Sequence, residues 1–139
     1  MVNDFKESSQ YQETDYESVY LGGLDLLEYI NGYKTIVFID TIMTDGGEPG
    51  KVHHFSTENY RETLHLSCRH DLSFLDTLKL GKKLGFNLPS IIRIIAIEIT
   101  EDLEIGTGLS KEFDELYPQI RLEVVNYINE IFKEMRTQI

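Results

Sequence analysis

The chain has 139 residues, with 24 Asp and Glu against 13 Lys and Arg and a formal net charge of −11. That balance excludes a basic, phosphate-tracking surface, so nucleic acid is not an expected partner. Hydrophobic residues make up 41% and charged residues 27%, the composition of a globular domain, and no apolar run approaches the ~18 residues of a membrane span.

Residues 1–15 are almost entirely polar and show no period of 2 or 3.6. They are read as a tail or the end of a weak helix. The N-terminus offers no apolar signal region, and the single cysteine, Cys68, cannot form an internal disulfide. Both point to a reducing cytoplasm. Residues 16–139 are expected to form one α/β domain.

Within it, Glu17–Leu21 reads as a short strand and Gly22-Gly23 as a turn. Leu26, Leu27 and Ile30 then fall at helical spacing, and Asn31-Gly32 ends that helix. Thr35–Asp40 (TIVFID) is β-branched and aromatic without alternation, the pattern of a strand covered on both faces. Turn residues crowd Thr44–Gly50, and Lys51–Phe55 follows as a strand with Val52 and His54 on one face and His53 and Phe55 on the other. A helix is predicted from about Asp71 to Leu84, stopping at Gly85. Ile91–Ile99 is the second doubly buried strand. Gly106–Ser110 forms a loop whose serine caps a last helix, striped by Ile120, Val124, Tyr127, Ile128, Ile131 and Met135, with Pro118 kinking it or starting its longer half. Strands alternating with helices predict a three-layer α/β fold: a twisted, mostly parallel sheet with helices on both faces.

Ligands of such sheets bind beyond the carboxyl ends of the parallel strands. Asp40 stands there, followed by a glycine-rich loop. It is either a metal ligand or general base, or it caps that loop through an Asx turn, which spacing alone favours. His70 precedes a helix whose positive end favours the neutral, metal-binding imidazole, although a lone histidine more often faces water. Glu98 stands near the end of the second strand, where it could join Asp40 as a further carboxylate or pair with Arg93 or Lys111. His53 and His54 are adjacent and cannot chelate one ion together; with His65 they read as ordinary strand or surface residues. No CxxC, GxGxxG, P-loop, GxSxG or HExxH motif occurs, and no nucleophile is evident.

Taken in order, three segments resemble the nickel–iron hydrogenase maturation endopeptidases. Leu21–Phe55 (LGGLDLLEYINGYKTIVFIDTIMTDGGEPGKVHHF) is similar to their Gly-Leu-x-Leu-Leu helix, apolar strand ending in Asp, Gly-x-Pro-Gly turn and next strand. Ser67–Gly85 resembles their Ser-x-His segment and following helix, here with Cys68 and Arg69 between Ser67 and His70. Ile91–Ser110 resembles their late strand and Gly-x-Gly-Leu-Ser turn into the final helix.

The resemblance implies an endopeptidase that removes the C-terminal extension of a hydrogenase large-subunit precursor after nickel insertion. Carried over by motif, Asp40 and His70 become metal-contacting positions; the third carboxylate is not carried over, and Glu98, Asp4 or another carboxylate is the candidate for it. The metal is the nickel of the substrate protein, recognised rather than tightly held, and no organic cofactor is implied. The family's first strand and its Gly-x-Gly-Asn loop with an acidic pair have no counterpart in residues 1–20. Either the form is truncated or alternative, or the first ligand comes from elsewhere; weak metal binding and an unpaired sheet edge that favours self-association are expected, with a non-enzymatic hydrogenase assembly factor as the alternative function.

Overall fold

The structure, a computed structural model, describes residues 1–8, 11, 13–19, 22–61, 63, 73–100 and 111–137. Among these residues three strands form the sheet: β1 (Thr35–Ile42), β2 (Val52–Ser56) and β3 (Ile91–Glu98). Their order is β1-β3-β2, so the last strand in sequence lies in the middle. β1 and β3 run parallel, with Thr35 opposite Ile91 and Ile42 opposite Glu98. β2 pairs antiparallel with the other side of β3, from Val52 opposite Ile97 to Ser56 opposite Arg93.

Both apolar runs form strands, but their burial differs. In β3 every residue from Ile94 to Glu98 is buried, whereas in β1 Thr35–Thr41 are half-buried and only Ile42 is fully covered. Position explains the difference. β3 has a neighbour on each side; β1 pairs only with β3 among the described residues, so solvent reaches it from its outer edge.

Side chains alternate across the sheet, and the two sets belong to two cores. On one face Ile92, Ile94 and Ala96 of β3 pack with Leu26, Leu27 and Ile30 of α1 (Asp25–Ile30) and Phe74 of α2 (Phe74–Lys83). Gly81 faces the Leu27 side chain so closely that a Cβ there would overlap it, which lets these two helices approach. On the other face Ile95 and Ile97 pack with Phe113, Ile120, Val124 and Ile128 of α3 (Lys111–Thr137). Helices thus cover both faces, as the alternation of elements predicts.

A short N-terminal helix (Val2–Ser8) lies on the α3 face. Its Phe5 is 2% exposed, sits under the Arg121 guanidinium, and Tyr117 donates to Asp4 beside it. The hydrogen bond to Asp4 and burial push the Tyr117 phenol up to about 12, burial being the larger cause. One polar stretch therefore carries a core residue that periodicity over so short a span does not reveal.

Other differences are local. Glu17–Val19 are irregular rather than a strand; Tyr20 and Leu21 lie outside the described residues. α2 starts at Phe74, where Ser73 accepts from the Asp76 N–H; Asp71, Leu72 and the Gly106–Ser110 loop also lie outside. α3 runs through Pro118 as one helix. No described helix is long and apolar enough to cross a membrane.

Ile95→Asp places an unpaired charge at a site with no solvent exposure and costs several kcal/mol, on the order of the whole folding stability; soluble expression should be lost. Val37→Asp, on the half-buried edge strand, should express and melt at a lower temperature. His54 is exposed on its outer side but stacks on Tyr127 with ring centroids 3.8 Å apart, and the partial desolvation lowers its pKa against the opposing pull of Glu130 and Glu123. A depressed histidine pKa stabilises the fold above the unfolded value of about 6.5 and loses that contribution as pH falls through it. Between pH 7.5 and 5.5 the melting temperature of His54→Phe should therefore fall less than that of the wild type.

Candidate functional site

The polar side chains at the carboxyl ends of β1 and β3 share one face of the sheet, the face covered by α1 and α2. Asp40 leaves β1 on the same side as Ile36 and Phe38, which pack into that core. Its Oδ1 accepts from the Thr41 N–H at 2.8 Å and its Oδ2 from the Thr63 hydroxyl at 2.8 Å. Thr63 is 5% exposed, and its own N–H donates to the Tyr60 hydroxyl at 3.3 Å. Tyr60 in turn packs against Phe55 and Phe74. The carboxylate is therefore fixed by one local bond, as a loop-capping aspartate would be, and by one bond across 23 residues, which a cap does not need.

Glu98 ends β3, directly opposite Ile42, with no solvent exposure. Burying an isolated carboxylate costs several kcal/mol, and here three donors satisfy it. Oε1 accepts from the Thr44 N–H at 2.6 Å and the Thr44 hydroxyl at 3.0 Å. Oε2 meets His53 Nε2 at 2.8 Å. The main chain of Glu98 binds the same loop: its N–H donates to Lys51 O at 2.8 Å, and its carbonyl accepts from Gly50 N–H at 2.9 Å. Gly47 lies so close to the carboxylate that a Cβ would overlap it. The turn residues between β1 and β2 are thus wrapped around one buried acid.

His53 stands in β2 opposite Ala96, and Ala96 is also the partner of Asp40 in β1. Asp40, Ala96 and His53 therefore form one row across the sheet. Adjacent strands are ~4.8 Å apart, so the row spans about twice that. The two neighbouring histidines do point oppositely, as their strand requires: His53 lies beside Phe55, His54 against α3.

The structure brings Asp40 and Glu98 to one end of one face, but their bonds are separate. Glu98 pairs with neither Arg93, which reaches Glu134 at 3.3 Å, nor Lys111 among the interactions of the described residues. His70, His65 and Cys68 lie outside those residues, so the expected meeting of Asp40 with His70 does too. Among the described residues no three His, Cys, Asp or Glu side chains are placed to hold a metal ion. His53 and Thr44 are the members that sequence reasoning missed. The available signal was the shared parity of His53 and Phe55, but which acid His53 would meet depends on β3 lying between β1 and β2.

The sequence pattern of the hydrogenase maturation protease family, HycI, matches residues 20–127, well over half of the chain. Two solved structures share the fold. The hydrogenase maturating endopeptidase HybD from E. coli superposes with a TM-score of 0.55 at 19% identity, over 78% of this chain and 66% of that one. An endopeptidase from Escherichia coli superposes with a TM-score of 0.60 at 18% identity, over 93% and 80%. The chain thus spans about two thirds of the length of HybD. No curated protein sequence matches it.

Glu98→Ala should lower stability by roughly 1.5–3 kcal/mol, the worth of hydrogen bonds to a charged group, because it removes the acceptor that ties Thr44 and His53 to the end of β3. Glu98→Gln keeps the shape and should cost far less. Gly47→Ala should destabilise comparably to Glu98→Ala, since the carboxylate it meets is pinned and cannot yield. Urea unfolding of the three variants checks the order; a Glu98→Ala protein as stable as wild type would show that the buried acid does not hold the loop.

Proposed function

The chain belongs to the hydrogenase maturation protease family, and we propose that it is an endopeptidase that removes the C-terminal extension of a nickel–iron hydrogenase large subunit once nickel has been inserted. The observation that carries this reading is Asp40: a carboxylate at the carboxyl end of a parallel strand, the place where open α/β sheets take their ligands, held by Thr41 and by the buried Thr63. An acid fixed by two bonds presents its remaining lone pairs in a set direction, as metal recognition requires.

In this reading Asp40, together with His70, contacts the nickel that the substrate brings. The metal belongs to the precursor, and no organic cofactor takes part. Polarisation of the scissile carbonyl by that ion is the simplest chemistry that needs no protein nucleophile. The role of this chain is then to hold the precursor's metal centre and its peptide extension in register, which is where much of the rate of a positioned reaction comes from. In this reading the protein works in the cytoplasm, a compartment its single cysteine suits.

Asp40→Asn preserves the side-chain shape and can keep both hydrogen bonds, the second by turning the Thr63 hydroxyl. Its melting temperature should stay close to wild type. Removing a metal-contacting charge should cost more than the 10–100-fold typical of an outer-shell change. The test is the conversion of a nickel-loaded large-subunit precursor to its shorter form, followed by gel mobility over time. Wild-type processing alongside an inactive Asp40→Asn protein supports the reading; an active Asp40→Asn protein removes Asp40 from the site.

A further inference from the structure

His53 has no part in the reading above, yet its environment is built with unusual care. A carboxylate can only accept hydrogen bonds. The contact between Glu98 Oε2 and His53 Nε2 at 2.8 Å therefore puts the proton of the neutral imidazole on Nε2. Nδ1 is then the nitrogen with a free lone pair, and it has no hydrogen-bond partner among the described residues. The side chain is 19% exposed, against 1% for that of Glu98, so the ring is the member of the pair that solvent or a ligand reaches. Its plane is set by Phe55, whose ring lies parallel within 9° at 6.0 Å between centroids.

Glu98 has no freedom to change these roles. Oε1 is held by two Thr44 donors, the Thr44–Gly47 turn is pressed on the carboxylate, and the backbone of Glu98 is locked to Lys51 and Gly50. The result is an imidazole with a fixed tautomer and orientation, on the face and in the row that carry Asp40.

We propose that His53 is a substrate-contacting residue whose Nδ1 accepts a hydrogen bond from a main-chain N–H of the peptide extension, and that Glu98 is the positioning residue that keeps Nδ1 an acceptor. The proposal rests on the endopeptidase reading and adds to it how the peptide is held. A main-chain N–H is the donor that every substrate residue except proline offers, so one fixed acceptor registers an extended peptide against Asp40 whatever its side chains. A metal would need further ligands around Nδ1, and among the described residues no such cluster forms.

Two variants separate the parts. Glutamine places its amide near the position of Nε2, so His53→Gln retains a donor to Glu98 and lacks the acceptor at Nδ1. In Glu98→Gln the carbonyl oxygen must stay with the two Thr44 donors, which turns the amide NH₂ toward His53. The imidazole then accepts at Nε2 and carries its proton on Nδ1, where it opposes the substrate N–H.

The experiment combines nitrogen-15 NMR of the His53 ring, recorded at alkaline pH, with processing kinetics on the nickel-loaded precursor. Expected are an Nε2–H tautomer in wild type, its inversion in Glu98→Gln, and a response of Nδ1 to the precursor. KM should rise about tenfold in both variants, the loss of one net hydrogen bond, while kcat and the melting temperature of His53→Gln stay close to wild type. An unchanged KM in His53→Gln, an Nδ1–H tautomer in wild type, or a His53 response to nickel chloride alone would each overturn the proposal. Wild type that processes the precursor while His53→Gln keeps its KM defeats this inference only. Wild type that neither binds nor processes the precursor defeats the endopeptidase reading and this one with it.

Discussion

A carboxylate with none of its surface in water has to find its hydrogen bonds inside the protein, and Glu98 finds them from two directions. Thr44 approaches from the loop after β1 and His53 from β2. β1, β2 and the turn between them are thereby tied to the end of the central strand. The two consecutive strands do not pair with each other; β3 lies between them, and the turn must cross its carboxyl end to reach the far side. Glu98 is the residue under that crossing. Its side chain and its main chain both hold the passing loop, and Gly47 supplies the room.

The same crossing explains why polar groups collect there. Apolar side chains fill both faces of the sheet up to Ile39 on β1 and Ile97 on β3. From there the strands run to their ends, the polar groups of the departing backbone need partners, and side chains that supply them are tolerated at the edge of two packed cores. Asp40 and Glu98 solve this in different ways. Asp40 is half-buried, with one local bond and one to Thr63; Glu98 is enclosed, with both oxygens engaged by the protein's own donors. An acid with spare lone pairs suits contact with a ligand, and an acid with none to spare suits support. That contrast divides the site into a contacting side on β1 and a supporting side on β3, with His53 on β2 as the part the support holds in place.

Much of this was legible in the chain of residues. Two unalternating apolar runs announced strands between covering helices, and the helical stripe of Ile120, Val124 and Ile128 announced the face that α3 buries. Asp40 stood out because it ends such a run before a glycine-rich turn. The opposite directions of His53 and His54 followed from the period of a strand. Asn-Gly, Asp-Gly and Pro-Gly signals located turns at Gly32, Gly46 and Gly50, and Gly85 stood at the expected helix end; all four take positive φ, the conformation that favours glycine.

What the sequence by itself determined, then, was local: element types, their apolar faces, and which residues end a strand. Those features depend on neighbours within a few positions, and the pattern of side chains records them directly. Tertiary structure decided the rest. Among the described residues it made β3 rather than β1 the doubly paired strand, although the two runs read alike, because strand order is set by long-range pairing. It buried Phe5 from a polar segment, because one aromatic residue needs no periodicity to find a groove beside α3. And it joined Thr44, His53 and Glu98, residues whose meeting depends on β3 lying between β1 and β2; composition and spacing are the same whichever strand lies in the middle.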